Sequence, residues 1–85
     1  MVTLTDERCA HIFAFHPDVA SCMPHFAETL TRPSTIIISA HDPTVVIFYR
    51  LLARRKKYLA VVVKTARHPF ILTAYLAKKP KRSIL

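Results

Sequence analysis

The 85-residue sequence contains no glycine and no tryptophan, and its second half contains no acidic residue. The absence of glycine excludes the glycine-rich loops that bind phosphate in GxGxxG and P-loop proteins. It also excludes the two-residue hairpin turns that depend on glycine, so any hairpin needs a longer link. No uncharged run approaches the roughly 18–20 residues that a helix needs to span a bilayer, so we expect no membrane segment.

Cysteine is also scarce, because Cys9 and Cys22 are the only two in the chain. They are thirteen positions apart, a separation that excludes the CxxC spacing of zinc sites. The first seven residues do not show a basic segment followed by an apolar one, so no signal peptide is predicted. Two cysteines without a secretion signal indicate reduced thiols and a cytoplasmic location.

The hydrophobic content is high for so short a chain, at 52 %. Typical globular proteins contain about 45–50 % apolar residues, and a small domain needs a dense core because it buries a small share of its surface. This composition excludes a disordered chain. We therefore predict one folded domain that covers residues 1–85.

The charge is divided unevenly along the chain. The formal net charge is +8, yet residues 1–42 hold all five acidic residues, and residues 43–85 hold eleven Lys and Arg with no acid. The second half cannot neutralise this charge through its own salt bridges, so it should attract a polyanion, most commonly a nucleic acid. Two other interpretations stay open: the charge keeps an apolar domain in solution, or it meets anionic lipid.

The first third of the sequence has helical periodicity. Thr5 is a suitable N-cap for a first helix, and Pro17 should end that helix. A second helix is predicted over residues 21–31, with Pro24 in its first turn. The expected buried positions of the two helices are Cys9, Ile12, Phe13, His16, Met23, Phe26, Ala27 and Leu30.

After Pro33 the pattern changes to β-branched and aromatic runs of strand length. They cover residues 34–39, 44–52, 58–65 and 70–76. The links between them have four or five residues, which suits hairpins but is too short for parallel crossovers. We therefore predict an α+β fold in which two amino-terminal helices pack on one face of a four-stranded antiparallel meander.

Some polar residues stand where they are candidates for chemistry. His11 and His16 lie about 140° apart around the first helix, which disfavours a shared metal site. Arg50 and Lys64 interrupt apolar strands, and Thr73 and Tyr75 share a face of the last strand, so these side chains suit a phosphate-binding surface. Plain structural alternatives remain: a core histidine for His16, solvent-facing strand ends for Arg50 and Lys64, and surface or turn positions for His25, His41 and His68.

Several short motifs occur together in a characteristic order. They are His11-Ile12, His16-Pro17-Asp18, Glu28-Thr29-Leu30 with Pro33, His41-Asp42-Pro43 with Val45-Val46, Tyr58 to Lys64, Thr73 to Leu76, and Lys79-Pro80-Lys81. In this order and spacing the chain resembles phage and bacterial members of the barnase–EndoU–colicin–RelE-like nuclease superfamily. The resemblance implies one or two helices before a four-stranded antiparallel sheet, and a metal-independent, toxin-like ribonuclease.

The resemblance also assigns residues. It points to His11, His16, Arg50, Lys64, Thr73 and Tyr75, and it implies neither a cofactor nor a metal. We predict a catalytic set from these residues and, with the basic charge of the second half, an RNA-binding set. The catalytic set is His11, His16, Lys64, Thr73 and Tyr75. The RNA-binding set is Arg50, Arg54, Arg55, Lys56, Lys57, Lys78 and Lys79. The implied partners are RNA and an acidic antitoxin or immunity protein, as in toxin–antitoxin systems.

Metal-independent RNA cleavage needs a base for the 2′-hydroxyl proton, an acid for the leaving 5′-oxygen, and fixed positive charge for the transition state. Histidine can serve either proton role, and lysine or arginine supplies the charge. We expect His16 and Lys64 to face each other across a helix–sheet cleft beside Thr73 and Tyr75. The alternative is a basic module that binds nucleic acid or an antitoxin without catalysis.

Overall fold

The computed structural model describes residues 2–80, so Lys81 of the last motif lies outside the described part. Two α-helices and an intervening 3₁₀ segment precede four strands. The bounds are α1 Asp6–Phe15, the 3₁₀ segment Pro17–His25, α2 Phe26–Thr31, β1 Thr35–Ile38, β2 Val45–Leu52, β3 Lys57–Lys64 and β4 Phe70–Ala77. This is the predicted α+β arrangement, with strand boundaries that differ from the predicted ones by about one residue.

Helix α1 begins and ends where its sequence predicts. The Thr5 hydroxyl accepts a hydrogen bond from the Arg8 backbone N–H at 3.2 Å. Asp6 and Glu7 lie in the first turn, where their negative charge interacts favourably with the positive end of the helix dipole. The helix ends at Phe15, because Pro17 disfavours helical geometry at the residue before it.

The second predicted helix is wrong over its first half. The chain from Pro17 to His25 is a 3₁₀ segment, and regular α-helix begins only at Phe26. Pro24 explains the difference, because it has no N–H to donate to the carbonyl four residues earlier. The buried stripe also shifts: Ala27 is exposed, while Thr29 is fully buried and donates its hydroxyl hydrogen to the His25 carbonyl at 2.7 Å.

The four strands form one antiparallel sheet in the order β1-β2-β3-β4. The register pairs Tyr49 with Ala60, and Ala60 in turn with Tyr75. A β-bulge interrupts the β3–β4 ladder beside Val62 and Val63. The sequential order confirms the meander that the short links predict.

Strand alternation gives the sheet two faces with separate apolar clusters. The helix face packs residues of α1, the 3₁₀ segment and α2 on β2, β3 and β4. Its fully buried members include Ile12, Val19, Leu59 and Val61. The opposite face holds a second cluster around the fully buried Tyr49 and Ala60. Each strand position therefore belongs to one face or the other, and this decides which polar side chains can meet.

The link between β2 and β3 contains the one positive φ angle in the described chain. Lys56 has φ of 54°, a left-handed conformation that glycine or asparagine adopts most readily. The backbone N–H of Lys56 donates to the Ala53 carbonyl at 3.3 Å, and that of Arg55 donates to the Leu52 carbonyl at 3.0 Å. A lysine thus occupies the strained position of a turn made almost entirely of cations.

No helix within residues 2–80 is long and apolar enough to cross a membrane.

Candidate nucleic-acid interface and adjacent cleft

The antiparallel register gathers the predicted RNA-binding cations at one end of the sheet. Tyr58, near the start of β3, pairs with Ala77 at the end of β4. The β2–β3 link and the residues after β4 therefore lie side by side, although about twenty positions separate them in sequence. We call this group the basic end. It consists of Arg54, Arg55, Lys56, Lys57, Lys78 and Lys79.

All six side chains of the basic end are exposed. Within residues 2–80 the two salt bridges are Arg50 with Glu28 and Lys64 with Asp42, so no carboxylate of the described chain neutralises the basic end. Six like charges that face solvent create a positive field, which attracts polyanions.

A cleft of about 260 Å³ opens next to the basic end, between the β2–β3 link and the start of α2. Its walls combine an apolar strand end with charged side chains. The lining residues are His25, Glu28, Arg50, Leu51, Leu52, Ala53, Arg54 and Arg55. Three arginines against one carboxylate make this cleft positive.

The three arginines of the cleft differ in their partners. The Arg50 Nε lies 2.5 Å from the Glu28 carboxylate, and its guanidinium also donates to the Arg32 carbonyl at 2.7 Å. Arg55 donates a hydrogen bond to the Ser21 hydroxyl. Arg54 forms no ion pair or side-chain hydrogen bond within the described chain. Arg50 is therefore held in place, and Arg54 is available to a ligand.

His16 and Tyr75 lie together at the β4 side of the sheet. Their ring centroids are 6.2 Å apart, and both residues are half-buried. The Tyr75 hydroxyl lies 3.3 Å from that of Tyr49, whose ring meets Tyr58 edge-on. Burial, together with the hydrogen bond to Tyr49, raises the pKa of Tyr75 well above its usual range. Tyr75 therefore keeps its phenolic proton and can donate a hydrogen bond, but it cannot act as a base near neutral pH.

Lys64 belongs to a separate network at the other end of the sheet. Its ammonium lies 2.8 Å from the Asp42 carboxylate, which also accepts hydrogen bonds from the Thr44 backbone and hydroxyl. The hydrogen bond from Lys64, then those from Thr44, lower the pKa of Asp42 to about 2. The motif His41-Asp42-Pro43 thus provides a turn whose carboxylate anchors the end of β3.

Within residues 2–80, the His16 ring meets Tyr75, and the Lys64 ammonium forms its salt bridge with Asp42. The predicted pairing of His16 with Lys64 across a helix–sheet cleft stays a prediction. Lys64 follows Val63, which packs on the helix face, so alternation directs Lys64 to the opposite face, which also carries Thr73 and Tyr75. Along β3, Lys64 is four residues from Ala60, the partner of Tyr75, which corresponds to about 13 Å.

Arg50 and Lys64 fail to share a surface. Arg50 pairs with Leu59, a helix-face residue, whereas Lys64 lies on the opposite face. Thr73 pairs with Val62 and so lies on the same face as Tyr75. His11 is exposed, and its ring contacts Phe15 with centroids 4.7 Å apart. Of the predicted catalytic set, Lys64, Thr73 and Tyr75 therefore share one face of the sheet, and the His16 ring lies beside Tyr75.

Sequence reasoning missed the cleft and two of its polar residues. His25 is exposed, as the sequence predicts, but its place at a cleft is not predicted, and Glu28 enters the sequence analysis only through a motif. The available signal was the group of cations in residues 50–57, which has no acidic residue nearby in sequence. A carboxylate from the helical region, such as that of Glu28 on α2, is therefore a candidate to pair with one of them. Because that pairing depends on how α2 sits on β2, it could not be derived from spacing.

Within residues 2–80, no group of three or more His, Cys, Asp or Glu side chains is arranged to hold a metal ion. Comparison with protein-family models, with curated proteins and with solved structures finds no match to this chain. The fold and the site geometry therefore carry the functional argument.

Proposed function

We propose that the protein binds RNA at the basic end and cleaves it without a metal ion, as its resemblance to the barnase–EndoU–colicin–RelE-like superfamily implies. The observation that carries this proposal is the convergence of six exposed, unneutralised cations from two distant stretches of the chain. Contacts between such cations and phosphates supply most of the affinity of a protein for nucleic acid.

His16 is the group we assign to proton transfer. Tyr75, its neighbour, is three residues from Lys78, or about 10 Å along the strand, so RNA on the basic end reaches both side chains. In the first step, the 2′-hydroxyl oxygen attacks phosphorus and loses its proton to a base. The bond from phosphorus to the 5′-oxygen breaks, and that oxygen takes up a proton. The products are a 2′,3′-cyclic phosphate and a 5′-hydroxyl.

The supporting groups follow from the same geometry. The protonated Tyr75 hydroxyl and the Thr73 hydroxyl, on one face of β4, are positioned to donate hydrogen bonds to a nonbridging phosphate oxygen. The positive charge comes from the basic end, because Lys64 is engaged by Asp42.

The engagement of Lys64 also favours a second candidate, a module that binds nucleic acid or an acidic antitoxin without cleaving RNA. The lysine that the resemblance assigns as charge stabiliser is held by a carboxylate, and a non-catalytic module needs only the cations of the basic end.

The deciding experiment incubates purified protein with total RNA in EDTA and analyses the product ends. We expect 2′,3′-cyclic phosphates, and a loss of about a hundredfold or more in rate for His16→Ala. The matched control is His68→Ala, an exposed histidine in the β3–β4 link, which should keep full activity.

Three outcomes separate the candidates. RNA binding without cyclic phosphate ends supports the non-catalytic module. Equal activity in the wild type and in His16→Ala removes His16 from the site. A loss in Lys64→Ala as large as in His16→Ala, with the fold intact, returns Lys64 to the catalytic set.

A further inference from the structure

The cleft beside the basic end is built differently from the basic end itself. One wall is the end of β2, where Leu51, Leu52 and Ala53 present apolar surface. The other contributors are charged or polar, and Arg54 among them has no partner within the described chain. A mostly apolar cavity with a few convergent polar groups is the usual form of a small-molecule site, and about 260 Å³ is close to the lower end of the volumes of such sites.

The two kinds of wall indicate a ligand with two parts. The apolar wall suits a flat, weakly polar group, while Arg54 and Arg55 suit a phosphate, because arginine forms paired, charge-assisted hydrogen bonds with phosphate oxygens. Glu28 lines the same cleft as the arginines, so the cleft offers both hydrogen-bond donors and an acceptor. The edge of a nucleobase carries donors and acceptors of this type.

We propose that the cleft is a nucleotide-binding pocket that holds one nucleotide of the bound strand, with its base against the β2 wall and its phosphate on Arg54 and Arg55. This inference rests on the proposed function, because it makes the nucleotide part of the RNA held by the basic end. The pocket would bind a base of the RNA, whereas the basic end contacts only the phosphates of the RNA backbone.

In the test, the protein is titrated separately with adenosine 5′-monophosphate, adenosine and inorganic phosphate at about 50 mM salt. Binding is measured by calorimetry and by changes in the NMR chemical shifts of the backbone amides. We expect the nucleotide to bind at least about tenfold more tightly than either of its halves, since it uses both walls. The amide shifts should centre on residues 50–55.

Two variants probe the pocket and one serves as control. Arg54→Ala should weaken nucleotide binding by about tenfold. Ala53→Leu, a change at an exposed link residue, should weaken it by filling the cleft. Arg67→Ala removes one charge from the exposed β3–β4 link at the far end of the sheet, and it should leave the affinity within about twofold of the wild type.

Equal losses in Arg54→Ala and Arg67→Ala, or a nucleotide affinity no greater than that for inorganic phosphate, overturns the pocket. RNA cleavage by a protein that does not bind the nucleotide overturns the pocket and leaves the proposed function standing. Nucleotide binding by a protein that does not retain RNA overturns the proposed function, and with it the claim that the nucleotide belongs to a strand.

Discussion

Salt dependence of RNA binding tests the basic end most directly. If its six cations each neutralise one phosphate of a single strand, log K should fall against log salt with a slope of about −4, which means about a 300-fold loss of affinity between 50 and 200 mM. The count of six cations depends on the fold, because only the β3–β4 register brings Lys78 and Lys79 next to the four cations at the β2–β3 link.

The assay is fluorescence anisotropy of an end-labelled single-stranded RNA at several salt concentrations in EDTA. Every 2′-hydroxyl of this RNA is methylated, so no 2′-oxygen can attack phosphorus. The double variant Lys56→Gln and Lys57→Gln removes two of the six charges, so the slope should change to about −3. The control, Arg67→Gln, removes a charge at the far end of the sheet and should leave the slope unchanged.

A slope near zero would refute the assignment of binding to charge neutralisation. If Arg67→Gln reduces the slope as much as one Lys substitution at the basic end does, then RNA binding is not localised to the basic end. In that case the whole positive surface would contribute evenly, and the convergence of the six cations would have no functional meaning.

Two further predictions concern stability. Lys56→Asn should raise the free energy of unfolding by about 0.5–1 kcal/mol in urea denaturation, because asparagine tolerates the left-handed φ of 54°; an unchanged midpoint would contradict strain at this turn. The Asp42 pKa is lowered in the folded state, so its contribution is complete above the ordinary pKa of 3.8 and is lost as pH falls through about 2. Asp42→Asn should therefore be less stable than the wild type at pH 6 and converge with it near pH 2, and a difference independent of pH would contradict the ion pair with Lys64.

The sequence was sufficient for the order of the elements and for the antiparallel sheet. Proline and polar links delimit each apolar run, and the link lengths leave no room for crossovers. It was insufficient between Pro17 and His25, where Pro24 removes a hydrogen bond that an α-helix needs. The apolar stripe alone does not distinguish 3.6 from 3.0 residues per turn over so short a segment.

The site was predicted in part for a similar reason. Individual cations were found, since charge is visible in composition, but their convergence depends on the β3–β4 pairing. Arg50 and Lys64 were placed on one surface, although the β2–β3 register sets them on opposite faces. A shift of one residue in register exchanges the faces of a whole strand, and fourteen positions of sequence do not fix it.

The gathering of charge at one end of the sheet has a consequence for the free protein. Lys57 and Lys78 are distant in an unfolded chain, but each is next in sequence to one member of the Tyr58–Ala77 pair, so folding brings them near each other and their mutual repulsion opposes the native state. Added salt screens this repulsion and should raise the melting temperature, while the same salt should weaken the proposed complex with RNA. Bound polyanion replaces salt as the neutralising agent and stabilises the fold by mass action. The protein is thus expected to be most easily unfolded when it is alone in dilute buffer, and a bound polyanion would serve as its counterions.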